Sequence, residues 1–109
     1  MEKKTPMLTV DPKIRNKSFI EVTCGYSEKD ALIEADRCLN CIHQPCVKGC
    51  PVNINIPAFI QEIKKQDYLK AYQIIAQANN LPAICGRVCP QESQCEAVCV
   101  KGIRNEPVG

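Results

Sequence analysis

Tryptophan is absent from this 109-residue chain, and aromatic residues make up only 5% of it. With so few large side chains, a fold this short buries little apolar surface and is marginal unless something staples it. No apolar run approaches the roughly 20 residues of a membrane helix. None of signal-peptide length follows Met1-Glu2-Lys3-Lys4-Thr5-Pro6. Neither secretion nor membrane insertion is expected, and with reduced thiols the cytoplasm is the expected compartment. The formal net charge of +2 is too balanced to argue for nucleic acid. Five glycines (Gly25, Gly49, Gly86, Gly102, Gly109) cannot spell a G-x-G-x-x-G turn or a phosphate loop, so no nucleotide or flavin site is visible. The lone histidine, His43, reads as a loop residue, and no nucleophile–base pair stands out. Bond-making chemistry has no visible machinery, and the length predicts one domain.

Cysteine is what the chain has in abundance, with nine. The densest run is Cys38-Leu39-Asn40-Cys41-Ile42-His43-Gln44-Pro45-Cys46-Val47-Lys48-Gly49-Cys50-Pro51, with gaps of two, four and three. An iron–sulfur cluster takes thiolates from several sides, and a tight loop can supply three of them. In bacterial ferredoxin runs the cysteine before proline serves a different cluster from the first three. Pro51 also stops the loop from running on as helix, because it has no N–H to donate. A second set follows in Cys85, Cys89-Pro90, Cys95 and Cys99. Eight clustered cysteines match the count that two four-iron clusters require. Disulfides would need an oxidising compartment and leave an odd thiol. A structural zinc site is the better alternative, since Cys-x2-Cys is its usual half-site. Zinc sites normally pair two short knuckles, however, whereas this run packs four cysteines into residues 38–50.

The rest of the chain reads as support. Residues 1–17 carry Lys3, Lys4, Lys13, Arg15 and Lys17 with two prolines and no helical period, which predicts a basic, loosely ordered arm before a domain over 18–109. Ser18 to Val22 is expected to lie extended on the domain through Phe19 and Ile20, and Cys24 reads as a structural thiol. Ser27 and Asp30 form a capping box that opens a helix. Its stripe of Ala31, Leu32, Ala35 and Leu39 predicts packing that delivers Cys38 at the helix end. Helices over 57–65 and 67–79 form a hairpin, with Tyr68 and Tyr72 in its packed face. Gln91 to Val100 reads as helical, with Cys95 and Cys99 on one face and Gly102 as a cap. Cys46-Val47-Lys48-Gly49 recurs as Cys99-Val100-Lys101-Gly102, an internal echo compatible with an approximate two-fold.

The stretches Ala35-Asp36-Arg37-Cys38-Leu39-x-Cys41, Pro45-Cys46-Val47-x-Gly49-Cys50-Pro51, Ile56-Pro57-Ala58-Phe59-Ile60 and Leu81-Pro82-Ala83-Ile84-Cys85-Gly86-Arg87-Val88-Cys89-Pro90-Gln91-Glu92 carry a resemblance. From about Arg15 onwards the chain resembles the N-terminal iron–sulfur domain of NADPH-dependent glutamate synthase small (beta) subunits. Similar domains occur in dihydropyrimidine dehydrogenase and in ferredoxin:NADP oxidoreductase. The resemblance implies an all-α, helical ferredoxin-like fold, with two cysteine-rich loops around a central hairpin and two [4Fe–4S] clusters. Position by position, it assigns Cys38, Cys41, Cys46 and Cys99 to one cluster and Cys50, Cys89 and Cys95 to the other. The last ligand is a Glu or Gln a little past Gly109, which leaves Cys85 outside the set, against the simple count. It further implies electron relay between a following flavin- and NADPH-binding module (FAD and NADPH) and a partner, the glutamate synthase large subunit or a related redox protein. On that reading the chain is a non-catalytic fragment of an oxidoreductase.

Overall fold

The computed structural model describes residues 3–109; Met1 and Glu2, the start of the arm expected at 1–17, lie outside the described residues. The elements are α1 (Pro12–Arg15), α2 (Glu28–Asp36), α3 (Pro45–Gly49), α4 (Ile56–Lys64), α5 (Tyr68–Ala76) and α6 (Pro82–Val88), then 3-10 turns at Gln91–Ser93 and Val100–Ile103. Among the described residues there is no sheet. The single antiparallel bridge pairs Thr9 with Thr23. The fold is all-α, as expected, and no described helix is long and apolar enough to cross a membrane.

Four helices start on side-chain caps, α1 through Asp11, which accepts from the Lys13 N–H at 2.8 Å. Ser27 Oγ accepts from the Asp30 N–H at 3.2 Å and donates to Asp30 Oδ2 at 2.6 Å. Asn55 caps α4 through the Ala58 N–H, and Asp67 caps α5 through the Lys70 N–H. Such caps each contribute about 1 kcal/mol. The α4–α5 hairpin packs against α2, and α4 also touches α3. The core is as thin as the composition implies: Ala35 from α2, Pro57 and Ile60 from α4, and Ala71 from α5. Two alanines at the crossings let the backbones approach closely, which substitutes for large side chains.

Several expected contacts fall elsewhere. Leu39 is 56% exposed because α2 ends at Asp36, so the position one turn beyond Ala35 has already left the helix. Tyr68 and Tyr72 are also exposed, and α5 reaches the core through Ala71. The Tyr68 hydroxyl donates to Glu28 at 2.8 Å. Phe19 and Ile20 point into solvent; their segment is held instead by backbone pairing, with Val10 N–H to the Val22 carbonyl and Cys24 N–H to the Leu8 carbonyl.

The arm lies against the domain. Lys4 Nζ reaches Glu96 at 2.5 Å, the Thr5 N–H donates to Glu34 at 2.7 Å, and Tyr26 donates to the Thr5 carbonyl. Glu34 and Arg37 form a buried ion pair at the end of α2. Arg37 also donates to the Pro107 and Glu106 carbonyls, and Glu34 accepts from the Gly109 N–H at 2.7 Å. This pair joins α2, the arm and the last four residues at one point.

Candidate iron–sulfur site

The first cysteine run is shaped by two left-handed residues. Asn40 has φ 49° and Gln44 has φ 43°, so the chain reverses twice between Cys38 and Cys46. An L-residue adopts that region only under tertiary constraint, and Asn tolerates it better than Gln. Cys38 leaves α2 with its N–H on the Ala35 carbonyl, and Lys64 Nζ holds the Cys38 carbonyl at 3.3 Å from α4. Pro45 then opens α3, which carries Cys46 and ends at Gly49. Cys50 is extended (φ −86°, ψ 125°) before Pro51. The thiol of Cys50 thereby leaves the face of Cys46 despite the four-residue spacing.

The second run works the same way. Cys85 lies on α6, and Cys89 is its extended C-cap. The expected helix from Gln91 to Val100 is replaced by a 3-10 turn, a break at Gln94 (φ −118°, ψ −107°) and further turns. Pro90 withholds a donor at the start, and the Glu96 N–H bonds back to the Gln91 carbonyl, closing a loop in place of a helical turn. Gly102 lies inside the last 3-10 turn and does not cap a helix.

That irregularity separates Cys95 from Cys99. The Cys46 thiol is pushed up by burial first, then by the neighbouring Cys38 and Cys99, even though it accepts a backbone N–H. The Cys95 thiol is raised by burial, by Glu96 and by Cys50. Cys89 is raised by burial, then by Cys85, which hydrogen-bonds to it, and by Cys50. Two groups result. Cys38, Cys46 and Cys99 form one, and Cys41 lies between the first two on the same loop. Cys50, Cys85, Cys89 and Cys95 form the other. These eight are half-buried, whereas Cys24 is exposed. The echoed cysteines, Cys46 and Cys99, meet in the same group.

Each group is a soft, all-sulfur donor set of the kind that selects zinc or iron–sulfur centres. Crowded thiols with raised pKa values resist ionising next to one another, and ligation by a cationic centre removes that cost by displacing the protons. A zinc ion needs its donors about 2.3 Å from one point. Among the described residues no three His, Cys, Asp or Glu side chains form a shell around a single ion. A four-iron cluster takes each thiolate at a different corner, so its ligands need not converge on one point. His43 is exposed and outside both groups.

Three residues matter to which the sequence reading assigned no role. A Cβ on Gly49 would lie 2.8 Å from the Gln94 carbonyl oxygen and 2.6 Å from Val98 Cγ2, so glycine here lets the two cysteine runs touch. Its signal was a glycine inside a short helix, where it costs about 1 kcal/mol relative to alanine. Glu34 and Arg37 are the other two; their pairing across one helical turn gave no sign that the pair would be buried. Of the cations near ligands, Arg87 pairs with Glu21 and donates to the Ala83 carbonyl, while Lys48 stays exposed.

A small helical domain that brings cysteines of two separate runs near one another carries the donor set of a [4Fe–4S] electron-transfer domain. The chain belongs to the family described as dihydropyrimidine dehydrogenase domain II, 4Fe–4S cluster, which matches residues 15–109. It is 40% identical over 95 residues to the glutamate synthase [NADPH] small chain of Escherichia coli, covering 83% of this chain and 20% of that one. The corresponding small chain of Halomonas elongata is 39% identical over 87 residues, 80% of this chain and 18% of its own. An NAD-dependent dihydropyrimidine dehydrogenase subunit, PreT, of Salmonella typhimurium is 35% identical over 88 residues, 81% and 21%. The chain therefore spans about a fifth of the length of these relatives.

Proposed function

We propose that residues 18–109, with 1–17 as a basic arm, hold two [4Fe–4S] clusters and relay single electrons between a flavin/NADPH module and a partner subunit. The parent protein is then a cytoplasmic, NADPH-dependent glutamate synthase-type oxidoreductase, and this domain alone turns over no substrate. The first cluster takes Cys38, Cys41, Cys46 and Cys99; the second takes Cys50, Cys89 and Cys95 with a Glu or Gln past Gly109. When bound, such clusters supply one-electron storage at a potential set by hydrogen bonds, charge and solvent exposure.

One observation supports this reading: the Cys46 thiol is influenced by Cys38 and Cys99, whereas the Cys95 thiol, four residues before Cys99, is influenced by Cys50. Each centre draws on both runs, so cluster binding and closure of the fold are one event. The chain's own residues do the rest. Gly49 permits the contact between runs, Lys64 fixes the Cys38 loop, and partial burial limits water around the thiols. The test is composition after anaerobic purification. Iron with matching acid-labile sulfide and broad absorbance near ~400 nm is expected, and Cys46→Ser removes about half the iron whereas Cys24→Ser removes none. Stoichiometric zinc without sulfide overturns the reading.

A further inference from the structure

We propose that the projecting loop at residues 11–22 docks a redox partner protein, whose contact face is acidic around an apolar centre, beside the second thiol group. This rests on the electron-relay reading above and adds which surface the partner meets and what chemistry recognises it.

Every residue from Asp11 to Val22 is exposed, yet the loop has a defined shape. Its root is closed by the Val10 N–H on the Val22 carbonyl at 2.9 Å, and its tip by the Lys17 N–H and the Ser18 hydroxyl, both on the Ile14 carbonyl. Glu21 pairs with Arg87 on α6. Arg87 lies between Cys85 on that helix and Cys89 at its end, so the ion pair fixes the loop beside two members of the second group. An occupant of the loop therefore sits where electrons can enter or leave that group. Electron exchange between proteins needs such closeness, while the contact itself is small and short-lived. The placement selects a redox protein over a lipid surface, which would gain nothing from it.

The surface combines an apolar centre with charge of one sign. Phe19 is fully exposed, and Ile14 and Ile20 are more than half exposed. Across the Glu21–Arg87 pair, Ile84 and Val88 stand one turn apart on α6 and are also more than half exposed. Leaving such side chains in water forgoes the stabilisation that burial would return. Contacts between proteins place aromatic side chains and arginine at their centres within a polar rim. Lys13, Arg15 and Lys17 supply the charge, and among the described residues none of the three has an acidic side-chain partner. The loop's own two acids are engaged: Asp11 accepts the Lys13 N–H at the start of α1, and Glu21 holds Arg87. Glu92, the next acid beyond α6, lines a separate groove with Lys4 and Cys99. The complement of this surface is an acidic face with an apolar centre. Such charge steers encounter and orientation more than it adds affinity.

The test is transient electron transfer from the dithionite-reduced holoprotein, in a chain carried past Gly109, to two probe acceptors of opposite charge, an acidic flavodoxin and the basic cytochrome c. In either case one electron leaves the domain for each acceptor molecule reduced by one electron. Iron and sulfide are measured first; their absence sinks the cluster reading itself, and with it the docking proposal. With clusters present, Arg15→Glu is expected to slow flavodoxin reduction about tenfold at low salt, a difference that salt abolishes, and not to slow cytochrome c. Lys70→Glu makes the same charge change on α5, which packs against α4, and is expected to leave both rates within about twofold. Phe19→Ser removes the apolar centre and is expected to slow flavodoxin at all salt concentrations. Arg15 and Phe19 are both exposed, so neither substitution is expected to unfold the chain. Equal effects of Arg15→Glu and Lys70→Glu, or none from either, overturn the proposal with the clusters intact. So does binding of the holoprotein to phosphatidylserine vesicles that Phe19→Ser abolishes, which assigns the loop to a membrane. Self-association that Phe19→Ser abolishes overturns it too, and assigns the loop to a second copy.

Discussion

Gly49 sits so close to Cys95 that a methyl on its α-carbon would lie 3.2 Å from Cys95 Cα, with the Gln94 carbonyl oxygen nearer still. The crowding atoms are mostly backbone and cannot rotate away. Gly49→Ala is expected to destabilise the holoprotein by about 1–3 kcal/mol, as overpacking does, and to reduce iron retention because the two runs are pushed apart. Gly86 provides the internal comparison: it lies within α6 and nothing stands within 4 Å of a Cβ there. Gly86→Ala is expected to stabilise by about 0.5–1 kcal/mol. Denaturant unfolding of both variants decides the matter; a harmless Gly49→Ala contradicts the contact.

The Glu34–Arg37 pair makes acid stability testable. Burial alone would raise the Glu34 carboxyl, but N–H donors from Gly109 and Thr5 and the Arg37 guanidinium outweigh it and hold it below its ordinary value of 4.5. A carboxyl depressed in the folded state contributes its full stabilisation above the unfolded value and loses it as pH falls through the folded one. Wild-type melting temperature is therefore expected to fall more steeply than that of Glu34→Gln as pH drops below about 4.5. Arg37→Met leaves a buried carboxylate without its partner and is expected to cost about 3–5 kcal/mol at neutral pH. Parallel acid profiles for wild type and Glu34→Gln refute the assignment.

Cys85 separates counting from resemblance. Its thiol hydrogen-bonds to Cys89, a contact suited to tuning a ligand from outside the ligand set. In a chain carried past Gly109, Cys85→Ala is expected to keep about eight irons. Loss of about half the iron instead makes Cys85 the eighth ligand.

Removing the clusters is expected to act unevenly. The α4–α5 hairpin has its own caps and packs through Ile60 and Ala71. Residues 38–51 include two left-handed turns and little buried apolar surface. Amide exchange on apo-protein should find protection at 57–65 and 68–76 and fast exchange through 38–51. Equal protection in both regions means the loops are set without the clusters.

The sequence by itself determined the local rules. The Ser27 capping box, the α4–α5 hairpin and the cysteine spacings are all consequences of residues within a turn or two of one another. Pro51 and Pro90 marked where each run had to leave helix. Only the tertiary structure decided what depends on distant partners. Cys95 and Cys99 look like one helical face at i and i+4, yet residues 94–98 form turns and Cys99 itself is extended, so no helix face carries both. No spacing rule reports a backbone dihedral set by contact with Gly49. Tyr68 and Tyr72 fit a helical stripe but face solvent because α5 meets the core through Ala71, and Leu39 does so because α2 has ended before it. The burial of Glu34 and Arg37 was hidden for the same reason: their partners, Thr5 and residues 106–109, lie at opposite ends of the chain, and only the folded chain brings those ends to α2.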